Sequence, residues 1–152
     1  KNLAERDLIK PLRQWIKEDK PFLGICLGYQ LLFDTSEESP GEQGLGVVGG
    51  EVVKFSADVG VIPHMGWNRV ILEADAGHSL HEAFHGAPYY YHVHSYFPRV
   101  TGSVDGECRT EYGSAFSSGV VRGNLVAFQF HPEKSQDAGL KLLQCVMNYW
   151  ER

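Results

Sequence analysis

Lys20-Pro21-Phe22-Leu23-Gly24-Ile25-Cys26-Leu27-Gly28-Tyr29-Gln30 reads as a strand, a sharp turn and a helix. Phe22 to Ile25 is a short apolar run of the kind that forms a buried strand, and from Leu27 to Phe33 the apolar residues return at helical spacing. Cys26 stands at the apex, with Gly24 and Gly28 on either side to relieve crowding. The same logic governs the Gly-x-Ser-x-Gly elbow, which holds a nucleophile in a strained, exposed position at a strand's end. A thiol placed there lies at a helix N-terminus, where free N–H groups and the helix dipole favour thiolate. The amide of Leu27 is well placed to bind a developing oxyanion. The pentapeptide alone fits a buried structural cysteine equally well, because free cysteine is commonly a small core residue. Cys108, in a polar strand, and Cys145, in the last helix, read as structural.

Working outward, Leu8, Ile9, Leu12, Trp15 and Ile16 give residues 3–18 a helical period, and Pro11 means that a helix starts near it or a longer one kinks there. Residues 36–46 are a polar, Gly-rich loop. Strands are expected over 47–55, 67–72, 89–96, 104–116 and 119–130, with turns at Gly113 and Gly123-Asn124, and a short helix over 77–84. Ser135 is a good N-cap for a last helix whose apolar stripe is Leu140, Leu143, Met147 and Trp150. The expected fold is α/β: a mixed, largely parallel sheet flanked by helices, in one domain over 1–152.

A nucleophilic cysteine needs a base, and the base needs an orienting group. Val126 to Phe130 reads as a strand that runs into His131-Pro132-Glu133. His131 can take the thiol proton and later give it to a leaving amine, while Glu133 fixes the imidazole tautomer. His-Pro-Glu alone fits a polar turn before a helix. The conjunction of elbow cysteine and His-x-Glu at a later strand end is the stronger signal, because strand ends of a parallel sheet converge on one edge.

Composition sets the limits. The 152 residues are 43% apolar and 22% charged, with a net charge of −5, as in an ordinary globular domain. The mild acidity and the lack of a Lys/Arg run argue against a nucleic-acid surface. No apolar run approaches the ~20 residues of a membrane helix. Three widely spaced cysteines are not a disulfide framework and suit a reducing cytoplasm. His92-Val93-His94 puts two imidazoles on one strand face, a plausible pair of zinc ligands, and His78, His81 and His85 fall at near-helical spacing. No cysteine or carboxylate joins them in a recognisable spacing, so neither a metal site nor a cofactor is expected.

The segment from Lys20 to Gln30 resembles the nucleophile segment of class I, triad-type glutamine amidotransferases, and Gln129-Phe-His-Pro-Glu-Lys-Ser135 resembles their His-Glu segment. Pro63-His-Met-Gly-Trp-Asn68, His92-Val-His-Ser-Tyr96 and Ser36-Glu-Glu38 narrow the likeness to the glutaminase subunits of imidazole glycerol phosphate synthase, from histidine biosynthesis. Five motifs in the right order span essentially the whole chain. The resemblance implies a catalytic triad of Cys26, His131 and Glu133. It implies substrate binding at Gly28, Gln30, Glu38, His94, Ser95 and Tyr96, with Glu38 near the α-amino group and backbone at Ser95 and Tyr96 near the α-carboxylate. It implies that Met65, Trp67 and Lys134 face a (β/α)₈-barrel cyclase, held as a heterodimer or fused, which receives ammonia. Read without it, Trp67 and Met65 are core or interface fillers, and Glu37-Glu38 is a solvated pair. Family members carry a first strand, a first helix and a Gly-rich oxyanion strand ahead of the helix that opens this chain, so an N-terminally truncated copy is expected. The alternatives are another class I glutaminase, a γ-glutamyl hydrolase, or a non-catalytic fragment that only binds the partner.

Overall fold

The stretch from 104 to 130 is rich in strand formers and is punctuated by Gly113 and Gly123, both with positive φ. It folds as a meander of three strands, β8 (Gly106–Tyr112), β9 (Ser114–Arg122) and β10 (Leu125–Phe128). The computed structural model describes residues 2–73 and 78–151. Ahead of the meander come α1 (Asn2–Glu5), α2 (Ile9–Lys17), β1 (Phe22–Ile25), α3 (Leu27–Gln30), β2 (Thr35–Ser36) and β3 (Gly50–Lys54). They are followed by β4 (His64–Arg69), β5 (Ile71–Glu73), α4 (His78–Phe84), β6 (Tyr89–His94) and β7 (Tyr96–Val100), and α5 (Gln136–Trp150) closes the chain.

The main sheet has the order β1-β10-β9-β8-β5. β1 runs parallel to β10, and the other three pairings are antiparallel. The mixed α/β sheet is as expected, but it is not largely parallel. Tight turns join β8 to β9 and β9 to β10, and such turns can only give antiparallel neighbours. A three-stranded sheet, β2-β3-β7, and a two-stranded antiparallel ribbon, β4-β6, lie beside it.

β10 shows why this sheet is covered on both faces. Val126 and Phe128 point into a core with Leu80, Tyr90, Leu142 and Val146, beneath α4 and α5. Leu125 and Ala127 point the other way, toward Ile16, Tyr29, Phe33 and Val48. Alternate side chains of a strand face opposite sides, so a strand apolar throughout belongs in the middle of three layers.

Three local readings change. A helix does start near Pro11, which lies in the first turn of α2, where a missing N–H costs nothing. Of its apolar residues only Ile16 is buried, while Leu8 and Trp15 are exposed. The buried face of α5 is Gly139, Leu142, Cys145 and Val146, whereas Leu140 is 66% exposed and Met147 52%. The helix docks through Gly139: a Cβ there would lie 1.9 Å from the Pro132 carbonyl oxygen. That close approach turns the helix about one residue away from the Leu140 stripe. Ser135 stands at the N-cap of α5, but its hydroxyl makes no cap bond and serves the neighbouring turn instead. His78 lies in α4, but its side chain is outside what the structure describes.

Candidate active site

Cys26 follows the last residue of β1 and has φ 51° and ψ −103°, a conformation that costs an L-residue of order 1–3 kcal/mol and persists only when its surroundings fix it. Two contacts fix it. Its amide donates to the Phe128 carbonyl at 2.8 Å, extending the β1–β10 ladder. A Cβ on Gly24 would sit 2.8 Å from the Gly28 carbonyl oxygen, so the turn closes only over glycine. At Gly28 an added Cβ would meet nothing within 4 Å, so there the expected relief of crowding is not needed.

β10 carries the second half of the site. Beyond Phe128 the chain reaches His131, whose amide donates to Tyr91 O at 2.9 Å. His131 Nδ1 lies 2.6 Å from Glu133 Oε1. The carboxylate only accepts, so Nδ1 carries the proton and Nε2 of the neutral ring keeps its lone pair. That Nε2 is buried and has no hydrogen-bond partner among the described residues. The Ser135 hydroxyl donates to His131 O at 2.6 Å and accepts from Tyr91 N at 2.9 Å, locking the turn to β6.

The thiol's electrostatics differ from the expectation. Burial pushes the Cys26 thiol up, and the Leu27 amide, which bonds the sulfur, opposes it. Glu133 and Glu38 push it further up and Lys134 pulls it down. α3 has only four residues, too short for a dipole that outweighs desolvation. The resting group is a neutral thiol, not the expected thiolate.

A cleft of about 150 Å³ opens beside the elbow, lined among others by Leu27, Gln30, Ser36 and Glu38. Glu37 faces away and accepts from Lys54 N at 2.7 Å, which separates the two adjacent glutamates by task. Gln30 Nε2 donates to Tyr96 O at 3.1 Å and to Gln129 Oε1 at 3.0 Å. Gln129 Nε2 in turn points at Cys26 Sγ, 3.8 Å away. His94 Nδ1 also donates to Tyr96 O, at 2.9 Å. Ser95 O accepts from Phe55 N.

The sequence model of the glutamine amidotransferase class-I family matches residues 3–145. The chain belongs to this family. Curated relatives agree. Over 143 residues it is 47% identical to the imidazole glycerol phosphate synthase subunit HisH of Rhodopirellula baltica, covering 93% of this chain and 68% of the relative. The HisH subunit of Sulfurimonas denitrificans is 41% identical, covering 97% and 72%. That of Aquifex aeolicus is 44% identical, covering 95% and 68%. Among solved structures, a glutamine amidotransferase matches with a TM-score of 0.60 at 18% identity, covering 99% of this chain and 71% of that one. Another, from Thermotoga maritima, matches with 0.59 at 20%, covering 98% and 58%. These two bear on the fold.

In this amidotransferase chain, Met65 and Trp67 are exposed on one face of β4, so neither is a core filler. The edge of Trp67 lies against Tyr91, which pairs with His131. Lys134 is exposed one residue beyond Glu133. Cys108 and Cys145 are buried, as structural cysteines should be. The residue whose part in the site the sequence did not reveal is Gln129. It is fully buried and bridges Gln30 to the sulfur. The one available signal was an amide within the apolar run Val126–Phe130, since a buried polar group must find partners.

The third histidine was also missed. His64 stands opposite His94 in the β4–β6 register. It joins His92 and His94 in a buried group.

Proposed function

We propose that this chain is the glutamine-hydrolysing subunit of an imidazole glycerol phosphate synthase in histidine biosynthesis, with Cys26, His131 and Glu133 as its catalytic residues. One observation carries the reading. An imidazole held by a carboxylate, with a bare and buried Nε2, lies three residues beyond the strand against which the cysteine elbow is built.

The neutral thiol gives its proton to His131 Nε2 as the sulfur attacks the side-chain amide carbon of glutamine. Glu133 stabilises the imidazolium. The Leu27 amide holds the oxyanion. His131 returns the proton to the departing ammonia, leaving a glutamyl thioester on Cys26. Water then loses a proton to His131 and attacks the thioester, releasing glutamate and the thiol. In this reading Glu38 and Gln30 hold the α-amino end of glutamine in the cleft, Gly28 leaves room for it, and backbone at Ser95 and Tyr96 faces the α-carboxylate, with His94 behind them. Ammonia passes to a (β/α)₈-barrel cyclase docked on Met65, Trp67 and Lys134. The exposed aromatic on β4 supports this, since such residues are enriched at interfaces. Three free cysteines fit a cytoplasmic setting. Among the described residues no helix is long and apolar enough to cross a membrane.

The test is covalent labelling by an electrophilic glutamine analogue. One adduct per chain, absent in Cys26→Ala and suppressed by glutamine, is the expected result. A folded chain that takes no label, or takes it elsewhere, overturns the reading.

A further inference from the structure

We propose that His64, His92 and His94 form a buried binding site for a divalent transition metal ion of the zinc class, one that uses none of Cys26, His131 and Glu133. The three lie on the inner face of the β4–β6 ribbon: His64 opposite His94 in register, and His92 two residues before His94 on the same face. They are 3%, 0% and 6% exposed. One ring nitrogen from each lies within 4.8 Å of the other two.

The hydrogen bonds show that these rings are not simply aromatic filler. Phe55, Phe116 and Phe130 already pack around them, and an aromatic cage asks only for more of the same. Each imidazole adds two nitrogens that need partners in an apolar place. The Tyr96 carbonyl can only accept, so His94 Nδ1 carries the proton and its Nε2 is bare. His92 Nδ1, 3.1 Å away, donates to that Nε2. His92 Nε2 is then also bare, and it is buried with no partner, as is His64 Nδ1. Two of the six ring nitrogens are orphaned and a third is held only by another histidine, in a group whose ligand atoms lie within 4.8 Å of one another. A ligating histidine whose other nitrogen donates to a backbone carbonyl is the arrangement that orients imidazole toward a metal, and His94 has it.

Neutral imidazole suits zinc, copper and nickel and suits calcium or magnesium poorly, which sets the class of ion. For His94 Nε2 to ligate, its lone pair must be freed of the His92 N–H that now donates to it. Tetrahedral Zn–N bonds of about 2.0–2.1 Å hold their nitrogens roughly 3.4 Å apart, so a pair at the 4.8 Å limit must close by about 1.4 Å. When His64 ligates through Nδ1, its proton moves to Nε2, and Asn68, whose amide nitrogen lies 3.2 Å from that Nε2, gives up the contact. The fourth position is left for water.

The test uses the full chain, freed of metal by a chelator. Equilibrium dialysis against Zn²⁺, and titration with Co²⁺ read from its visible absorption, should give one equivalent per chain. His92→Phe and His64→Asn should each weaken binding at least about tenfold. Cys26→Ser and the exposed His85→Ala should leave it unchanged. Long-range ¹H–¹⁵N spectra of the unmutated chain supply a reading that needs no variant: ring nitrogens of three histidines should shift on Zn²⁺ addition. No binding overturns the proposal. So does binding that survives His92→Phe, that is lost in Cys26→Ser, or that leaves these three rings unshifted. None of these outcomes depends on glutamine hydrolysis, so the two readings stand or fall apart.

Discussion

At Cys26, burial and two nearby carboxylates act against the Leu27 amide and Lys134, and the thiol ends above its ordinary range. Alkylation of the resting chain should therefore rise with pH through a midpoint above that of a free cysteine. Glu133→Gln removes one of the two repelling charges and should move the midpoint down, even as it impairs turnover. A midpoint at or below that of glutathione, measured alongside, would show that the amide and the lysine prevail. The elbow at Cys26 and the pairing of His131 with Glu133 were legible in the sequence, because each is written in a short run of neighbouring residues. The state of the thiol was not legible, because desolvation depends on what covers a group. Gln129 was illegible for a related reason: its two partners, Gln30 and Cys26, come from another part of the chain.

Among the elements, the turn between β10 and α5 positions the proposed base through groups that are not themselves reactive. Ser135→Ala leaves Tyr91 N–H without its partner at a fully buried position and leaves His131 C=O with the Lys134 amide alone. The loss should cost about 1–3 kcal/mol in denaturant unfolding, and glutamine turnover should fall in the folded fraction as His131 loosens. An unfolding midpoint unchanged from the parent chain would contradict this. Gly139→Ala sets a methyl against the Pro132 carbonyl oxygen. It should destabilise by about 1–3 kcal/mol or more, although alanine is the better helix former by about 1 kcal/mol. Stabilisation would mean that α5 can back away. The existence of α5 was plain from its period, but its buried face was not. Leu140 and Met147 have the right spacing and still face outward, because the helix's closest approach is through a glycine, which no hydrophobicity pattern marks.

Across the whole molecule, the buried histidines set a response to acid. The unfolded chain gains protons on His64, His92 and His94 near the ordinary value of 6.5, while the folded chain resists to about 4, 2 and 3. Because the folded values are lowered, these groups cost stability as pH falls below 6.5. The slope should reach about 4 kcal/mol per pH unit with all three titrating. Urea unfolding of the metal-stripped chain at pH 7 and pH 5 measures it, and His92→Phe should flatten the slope by about a third. A mixed sheet with helices on both sides was readable from element order. The share of antiparallel pairing was underread, because the short turns at Gly113 and Gly123 were recognised without their topological consequence. The pairing of β1 with β10 joins residues 103 apart in the chain, while β8, β9 and β10 are neighbours in sequence. Hairpins close within microseconds, and contacts across long loops come later. During refolding the meander therefore forms first, with β10 as a bare edge, and the cysteine arrives with the last strand to dock. Recovery of Cys26 labelling should lag the return of sheet signal, and for that interval the chain is an open edge in search of a strand, most prone to pair with another copy of itself.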